Sequence, residues 1–172
     1  VHASWLIVFA LVTWSLAAGY FPTEFPGWAR PAYWLVGALT ALIFLVSILV
    51  HELGHSRVAL RYGIPIRGIT LFLFGGVAEM EDEPPSALSE FLMAIAGPAV
   101  SAVLAAVFWL LSGLVEASAV AFPLRYLAAI NLAVLIFNLV PAFPLDGGRV
   151  LRSILWGALR SLRRATYWAA LS

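Results

Sequence analysis

The sequence predicts a mainly α, polytopic membrane protein with about four transmembrane helices, a short membrane-associated β element and a C-terminal amphipathic helix. Three observations carry that expectation. Of 172 residues, 63% are apolar and only 11% charged, and the mean hydropathy is +0.97, far from the balance of a soluble domain. Four stretches are long and apolar enough to cross a bilayer as helices of about 20 residues. Between the second and third of them, residues 66–80 are rich in β-branched and aromatic residues and too short to span as a helix. The whole chain, 1–172, is expected to be a single transmembrane core domain, with no room for a large soluble one. With no cysteine, disulfides, thiolate ligands and cysteine nucleophiles are excluded. The net charge of +1 selects no partner; the lipid bilayer is expected as one and nucleic acid is not.

The first span is expected at 3–18, ASWLIVFALVTWSLAA, at the short end of what crosses a bilayer. Residues 19–31, with three prolines and two glycines, read as an ordered turn whose Tyr20, Phe21 and Trp28 anchor at the membrane interface. The second span, 33–62, ends at Gly63 and Pro65 and is longer than a bilayer needs, so its last turns emerge into water with Arg57 and Arg61. Within 66–80, the run 69–74 between Gly68 and Gly75 reads as a strand. Unpaired backbone cannot face lipid, so this strand must pair or line a protein cavity. Residues 79–85, EMEDEPP, read as a solvated acidic turn. The third span, 88–114, centres on a ladder of small residues, AIAGPAVSAVLAA, which reads as a packing seam with a kink at Pro98. The fourth, 122–140, breaks at Pro141 and Pro144. A helix over 148–164 follows, with arginines on its exposed positions.

If the N-terminus is cytoplasmic, eight arginines fall on cytoplasmic connections, and only Arg30 and Arg125 lie opposite. That distribution satisfies the positive-inside rule and places HELGH (51–55) and PLDGG (144–148) in the same cytoplasmic half of the membrane.

Residues 51–55 concentrate the chemistry. His51 and His55 stand one helical turn apart on one face, the spacing that lets two imidazoles share a metal ion, and Glu52 sits about 100° further round. This is the HExxH arrangement of zinc metalloproteases. Ionisable groups inside a membrane span are costly and mark function. His55 is expected about 10 Å inside the surface, at 1.5 Å per residue. A catalytic zinc takes three protein ligands and keeps a fourth position open. The one other histidine, His2, lies at the far end of the first span, so the third ligand is expected to be a carboxylate. Glu90 is a candidate at the start of the third span. Asp146 is the better one, at the depth of HELGH and beside a Gly-Gly pair that permits close backbone approach; its competing role is a helix cap.

The chain resembles the site-2 protease family of intramembrane zinc metalloproteases (peptidase family M50), whose signatures are HExxH in one span and a distant N-x-x-P-x-x-P-L-D-G. Both occur here, at His51 to His55 and as NLVPAFPLDG from Asn138 to Gly147, and Gly97 and Pro98 also fit. The resemblance implies Zn2+ bound by His51, His55 and Asp146, with Glu52 as acid/base and Asn138 contacting the substrate backbone or the oxyanion. It implies hydrolysis of peptide bonds within or near transmembrane segments of membrane-protein substrates, in the cell membrane. Many members carry Asn where this chain has Ser101. The YFP…PG turn and the ITLFLFGGVAEM stretch look most like the branch with C-terminal cystathionine-β-synthase-type domains. The chain is therefore expected to be the truncated core of a longer parent with nucleotide-sensing regulatory domains.

Two alternatives stay open from the sequence. Ile69, Thr70, Leu71, Phe72, Leu73 and Phe74 form either a substrate-docking strand or a strand that only completes a small sheet. The competing function is a non-catalytic membrane metal-binding or helix-binding protein. It is disfavoured because a metal carrier needs more intramembrane ligands and a structural zinc needs four.

Overall fold

A computed structural model describes residues 4–72, 75–80, 84–116 and 118–170, with residues 66–80 as backbone only. Four helical runs among them are long and apolar enough to cross a membrane: Trp5–Glu24, Arg30–Arg61, Ala87–Leu114 and Ala119–Asn138. Large side chains such as Leu6, Trp109 and Leu114 face outward from them, as a lipid-facing surface requires.

The first run joins α1 (Ser4–Ser15), a π-helical turn (Leu16–Tyr20) and α2 (Phe21–Glu24). Helix thus continues through residues expected to be turn. Pro22 stands in the first turn of α2, directly after the π-helical turn. Phe21 is an anchor of a different kind from that expected: it is fully buried with Leu16, Ala17 and Tyr33. The Tyr33 hydroxyl closes the connection behind it, donating to the Phe25 carbonyl and accepting from the Trp28 N–H at 3.0 Å.

Helix α3 (Arg30–Arg61) has 32 residues, about 48 Å at 1.5 Å per residue, so it overruns the hydrocarbon core as its sequence implies. Gly37 admits α1: a Cβ there would lie 3.2 Å from both the Ala17 Cβ and the Thr13 carbonyl. The helix ends at Tyr62, and Gly63 follows at φ 73°, a left-handed turn that glycine adopts without strain.

Strands β1 (Ile66–Phe72) and β2 (Gly75–Met80) form an antiparallel hairpin that packs along α3, with Ile69 opposite Ala78 and Phe72 opposite Gly75. The partner strand was not legible because Gly75 and Gly76 read as a boundary; they begin β2 instead. Glu79 and Met80 belong to this strand and not to the acidic turn. Leu73, Phe74 and residues 81–83 lie outside the described residues.

Helix α4 (Ala87–Leu114) starts at a reciprocal cap between Ser86 and Ser89 and packs against α3, α5 (Ser118–Asn138) and α6 (Asp146–Leu159). It is the central element. After α5 the chain turns through residues 139–145, with a cis Phe143–Pro144 peptide. The helix expected over 148–164 is two helices. Arg160 adopts φ 51°, and the Ser161 hydroxyl caps α7 (Leu162–Ala169) by accepting from the Arg164 N–H.

Candidate metal centre

Helix α3 delivers His51 and His55 side by side because they are four residues apart, with ring Nε2 atoms 3.2 Å from each other. They are 3% and 8% exposed. Asp146, far away in sequence, meets them. Its Oδ2 lies 3.3 Å from His51 Nε2 and 3.2 Å from His55 Nε2, and one ligand atom from each of the three residues falls within 4.8 Å of the others.

Two glycines make that meeting geometrically feasible. A Cβ on Gly147 would lie 2.3 Å from the Val140 carbonyl oxygen, and one on Gly148 2.8 Å from the Ala142 carbonyl. The first turn of α6 can therefore fold back on the proline-broken loop only without side chains there. The cap reading of Asp146 is set aside: Leu145 is the N-cap residue and Asp146 the first residue of the helix. Its carboxylate is directed at the imidazoles.

The hydrogen bonds around the rings define what the centre can hold. His55 Nδ1 is 2.7 Å from the Met93 carbonyl; a carbonyl only accepts, so Nδ1 carries the proton and Nε2 presents a lone pair. His51 Nδ1 is 2.9 Å from the Ser101 hydroxyl, which leaves its Nε2 toward the same point. Asp146 Oδ2 is buried without a hydrogen-bond donor. Three electron-pair donors thus converge. A proton could reconcile one pair of them, whereas a divalent cation satisfies all three. Two neutral imidazoles and a carboxylate are a fitting donor set for zinc with a position left open.

Glu52 is buried, 7% exposed, and is not one of the three converging donors, as its offset round the helix requires. Asn138 ends α5, partly buried, with its Nδ2 donating to the Val134 carbonyl at 3.0 Å. Glu90, a candidate third ligand from sequence, is instead paired with Arg152. His2 lies outside the described residues.

Two residues escaped the sequence reading. Gly97, placed in a packing seam, faces the centre: a Cβ there would lie 2.1 Å from His55 Nε2 and 2.6 Å from His51 Nε2. The seam itself is real, since a Cβ on Gly54 would meet Val100 and the Ala96 carbonyl at 2.9 and 3.1 Å. Ser101 orients His51 through its hydroxyl. A lone glycine among the alanines of 94–106, directly before Pro98, was the available signal for the first.

Four helices able to cross a membrane and a converging His-His-Asp donor set between them define an integral membrane protein with a site able to hold a metal ion. The chain belongs to peptidase family M50, whose sequence profile matches residues 39–118 and 112–171. A Synechocystis protein named as a candidate zinc metalloprotease, sll0528, is 43% identical over 162 residues, covering 91% of this chain and 41% of that protein. Zinc metalloprotease MJ0392 of Methanocaldococcus jannaschii is 42% identical over 132 residues, covering 74% of this chain and 38% of that protein. The solved site-2 protease from Methanocaldococcus jannaschii matches with a TM-score of 0.60 and 35% identity, covering 88% of this chain and 65% of that one. The chain thus spans about two fifths of the length of the curated relatives it matches.

Proposed function

We propose that this chain carries the catalytic core of a zinc metalloprotease that hydrolyses peptide bonds within or beside transmembrane segments of membrane proteins. The observation that carries the proposal is the convergence of His51, His55 and Asp146 on one point, with a buried carboxylate, Glu52, directly following the first of them in the chain. Zinc held there would polarise the scissile carbonyl and make water a nucleophile near neutral pH. Glu52 takes the proton from the attacking water and returns it to the leaving amine. Met93 and Ser101 hold the imidazole rings in orientation, and Asn138 contacts the substrate backbone or the oxyanion. The test is metal analysis of the purified protein beside cleavage of a panel of single-span membrane proteins. About one equivalent of zinc with chelator-sensitive cleavage is expected; a protein that binds no zinc, or cleaves nothing with zinc bound, overturns the proposal.

A helical substrate must open before cleavage, because its carbonyls are already hydrogen-bonded. The proposed docking element is the stretch from Ile69 to Phe74, of which residues 69–72 lie in β1. Among the described residues the sheet has two strands, so one edge of each has no strand partner and could pair with an opened peptide. Proline at successive positions from Ile69 to Phe72 should produce an alternating result, since outward and inward N–H groups alternate along the strand. Variants that remove an outward donor are expected to lose cleavage with zinc retained. Full cleavage in every folded variant would refute docking.

The centre is proposed to lie in the cytoplasmic half of the cell membrane, supported by the eight arginines on that side. Arg61 and Arg160 are both exposed. With no native cysteine, Arg61→Cys and Arg160→Cys should each react with an impermeant thiol reagent from the cytoplasmic face alone. Labelling of either from outside reverses the orientation.

A further inference from the structure

Helix α4 touches the metal centre along a single stripe. Glu90, Met93, Gly97 and Ser101 follow at spacings of three, four and four, which places them on one helix face. Three of them act on the imidazoles: the Met93 carbonyl accepts the hydrogen bond of His55 Nδ1–H, Ser101 bonds His51 Nδ1, and Gly97 leaves room for both Nε2 atoms. Glu90 is the fourth, and it acts on the helix that carries the third donor. It is 0% exposed, and its Oε1 accepts from Arg152 Nε at 2.6 Å and from Arg152 Nη2. Its Oε2 has no hydrogen-bond partner among the described residues, and Arg152 is its bonded counter-charge there. The same guanidinium lies 5.8 Å from the ring centroid of Phe143.

Arg152 therefore contacts α4 through Glu90 and the proline-broken loop through Phe143, while standing on α6 itself. Asp146 sits between the two anchor points in sequence, three residues after Phe143 and six before Arg152. An ion pair is an expensive way to hold two helices together, since apolar side chains of similar volume do as well or better. What a forked, directional pair adds is register.

We propose that the Glu90–Arg152 pair is a positioning device for Asp146, fixing α6 on the same face of α4 that orients His51 and His55. All three donors are then referenced to one helix. The proposal rests on the metal reading above. Its physical motive is tolerance: ligand distances must hold within about 0.2 Å, and Asp146 stands on a different helix from the two histidines.

The test is zinc affinity of the detergent-solubilised protein, measured by competition with a chromophoric chelator, beside the visible spectrum of the cobalt(II)-substituted protein. Glu90→Gln and Arg152→Gln are expected to weaken zinc about 10- to 100-fold, the usual effect of losing a partner behind a metal ligand. Because Arg152→Gln strands a buried charge, the deciding variant is the double Glu90→Met/Arg152→Met, which replaces the pair by packed apolar side chains. It is expected to match the wild type in thermal unfolding while keeping the zinc deficit and an altered cobalt spectrum. Zinc affinity and cobalt spectrum restored to wild type in the double variant would overturn the proposal and reduce the pair to cohesion. Wild-type protein that binds no zinc would overturn the metal reading and the positioning role together; tight wild-type binding with unchanged variants would sink the positioning role alone.

Discussion

Glu52→Gln is expected to keep its zinc and lose peptide-bond hydrolysis. Glutamine has nearly the volume of glutamate and keeps an acceptor oxygen, so the α3 backbone and the His51–His55 pair are left as they are. It cannot accept a proton at neutral pH, however, and the reaction needs one taken from water and one delivered to the amine. General acid–base catalysis supplies about 10² to 10⁴ in rate, and in the proposed mechanism both transfers run through this one carboxylate. A fall in kcat/KM of at least about 10² is therefore expected. Glu52 is outside the converging set of His51, His55 and Asp146, so bound zinc should stay at the wild-type level. Measuring metal content and cleavage on the same preparation separates the two quantities. Near-normal turnover with one zinc bound would remove Glu52 from the mechanism. Loss of zinc together with turnover would make it part of the metal-holding set instead.

Legible in the sequence are the features for which one residue pattern implies one geometry. His51 and His55 are four apart on a helix, so their neighbourhood follows from the helical period alone, and the long apolar runs identify spans by length. Asp146 was reached by elimination of other carboxylates and by depth, which needed no contact information. The failures have the opposite character. The β2 strand was missed because a Gly-Gly pair signals a stop in a strand and equally a start. Phe21 reads as an interface residue because aromatic residues near a span end usually anchor there, whereas its burial depends on Tyr33 from another helix. Glu90 could not be matched with Arg152, 62 residues away, since pairing across helices is a property of packing and leaves no periodic trace. Ser101 and Gly97 belong to the same class. Their partners are side chains of α3, and a stripe of small residues on α4 reads equally as a seam between helices or as space reserved for a site.

Gly97 offers the sharpest distinction between those two readings. In a simple seam, Gly→Ala within a helix tends to be mild, because alanine is the better helix former by about 1 kcal/mol and helices can part slightly. Here the added methyl would stand 2.1 Å from His55 Nε2 and 2.6 Å from His51 Nε2, well inside the separation of about 3.5 Å at which such atoms rest in contact. The atoms in the way are the two Nε2 nitrogens proposed to hold the metal. Movement of either ring by the ångström or more needed far exceeds the tolerance of about 0.2 Å on a metal–ligand distance. Neither ring can yield without also breaking its bond to Met93 or Ser101. Gly97→Ala is therefore expected to lose zinc affinity by at least about 100-fold, the upper end of what a lost partner behind a ligand costs. Its helix content should remain that of the wild type. Gly113→Ala on the same helix is the control: a Cβ there meets nothing within 4 Å, so zinc binding should be unchanged. Chelator competition on the two variants and the wild type reads the difference. Gly97→Ala binding zinc as tightly as Gly113→Ala would mean that the metal does not sit between the two imidazoles and α4.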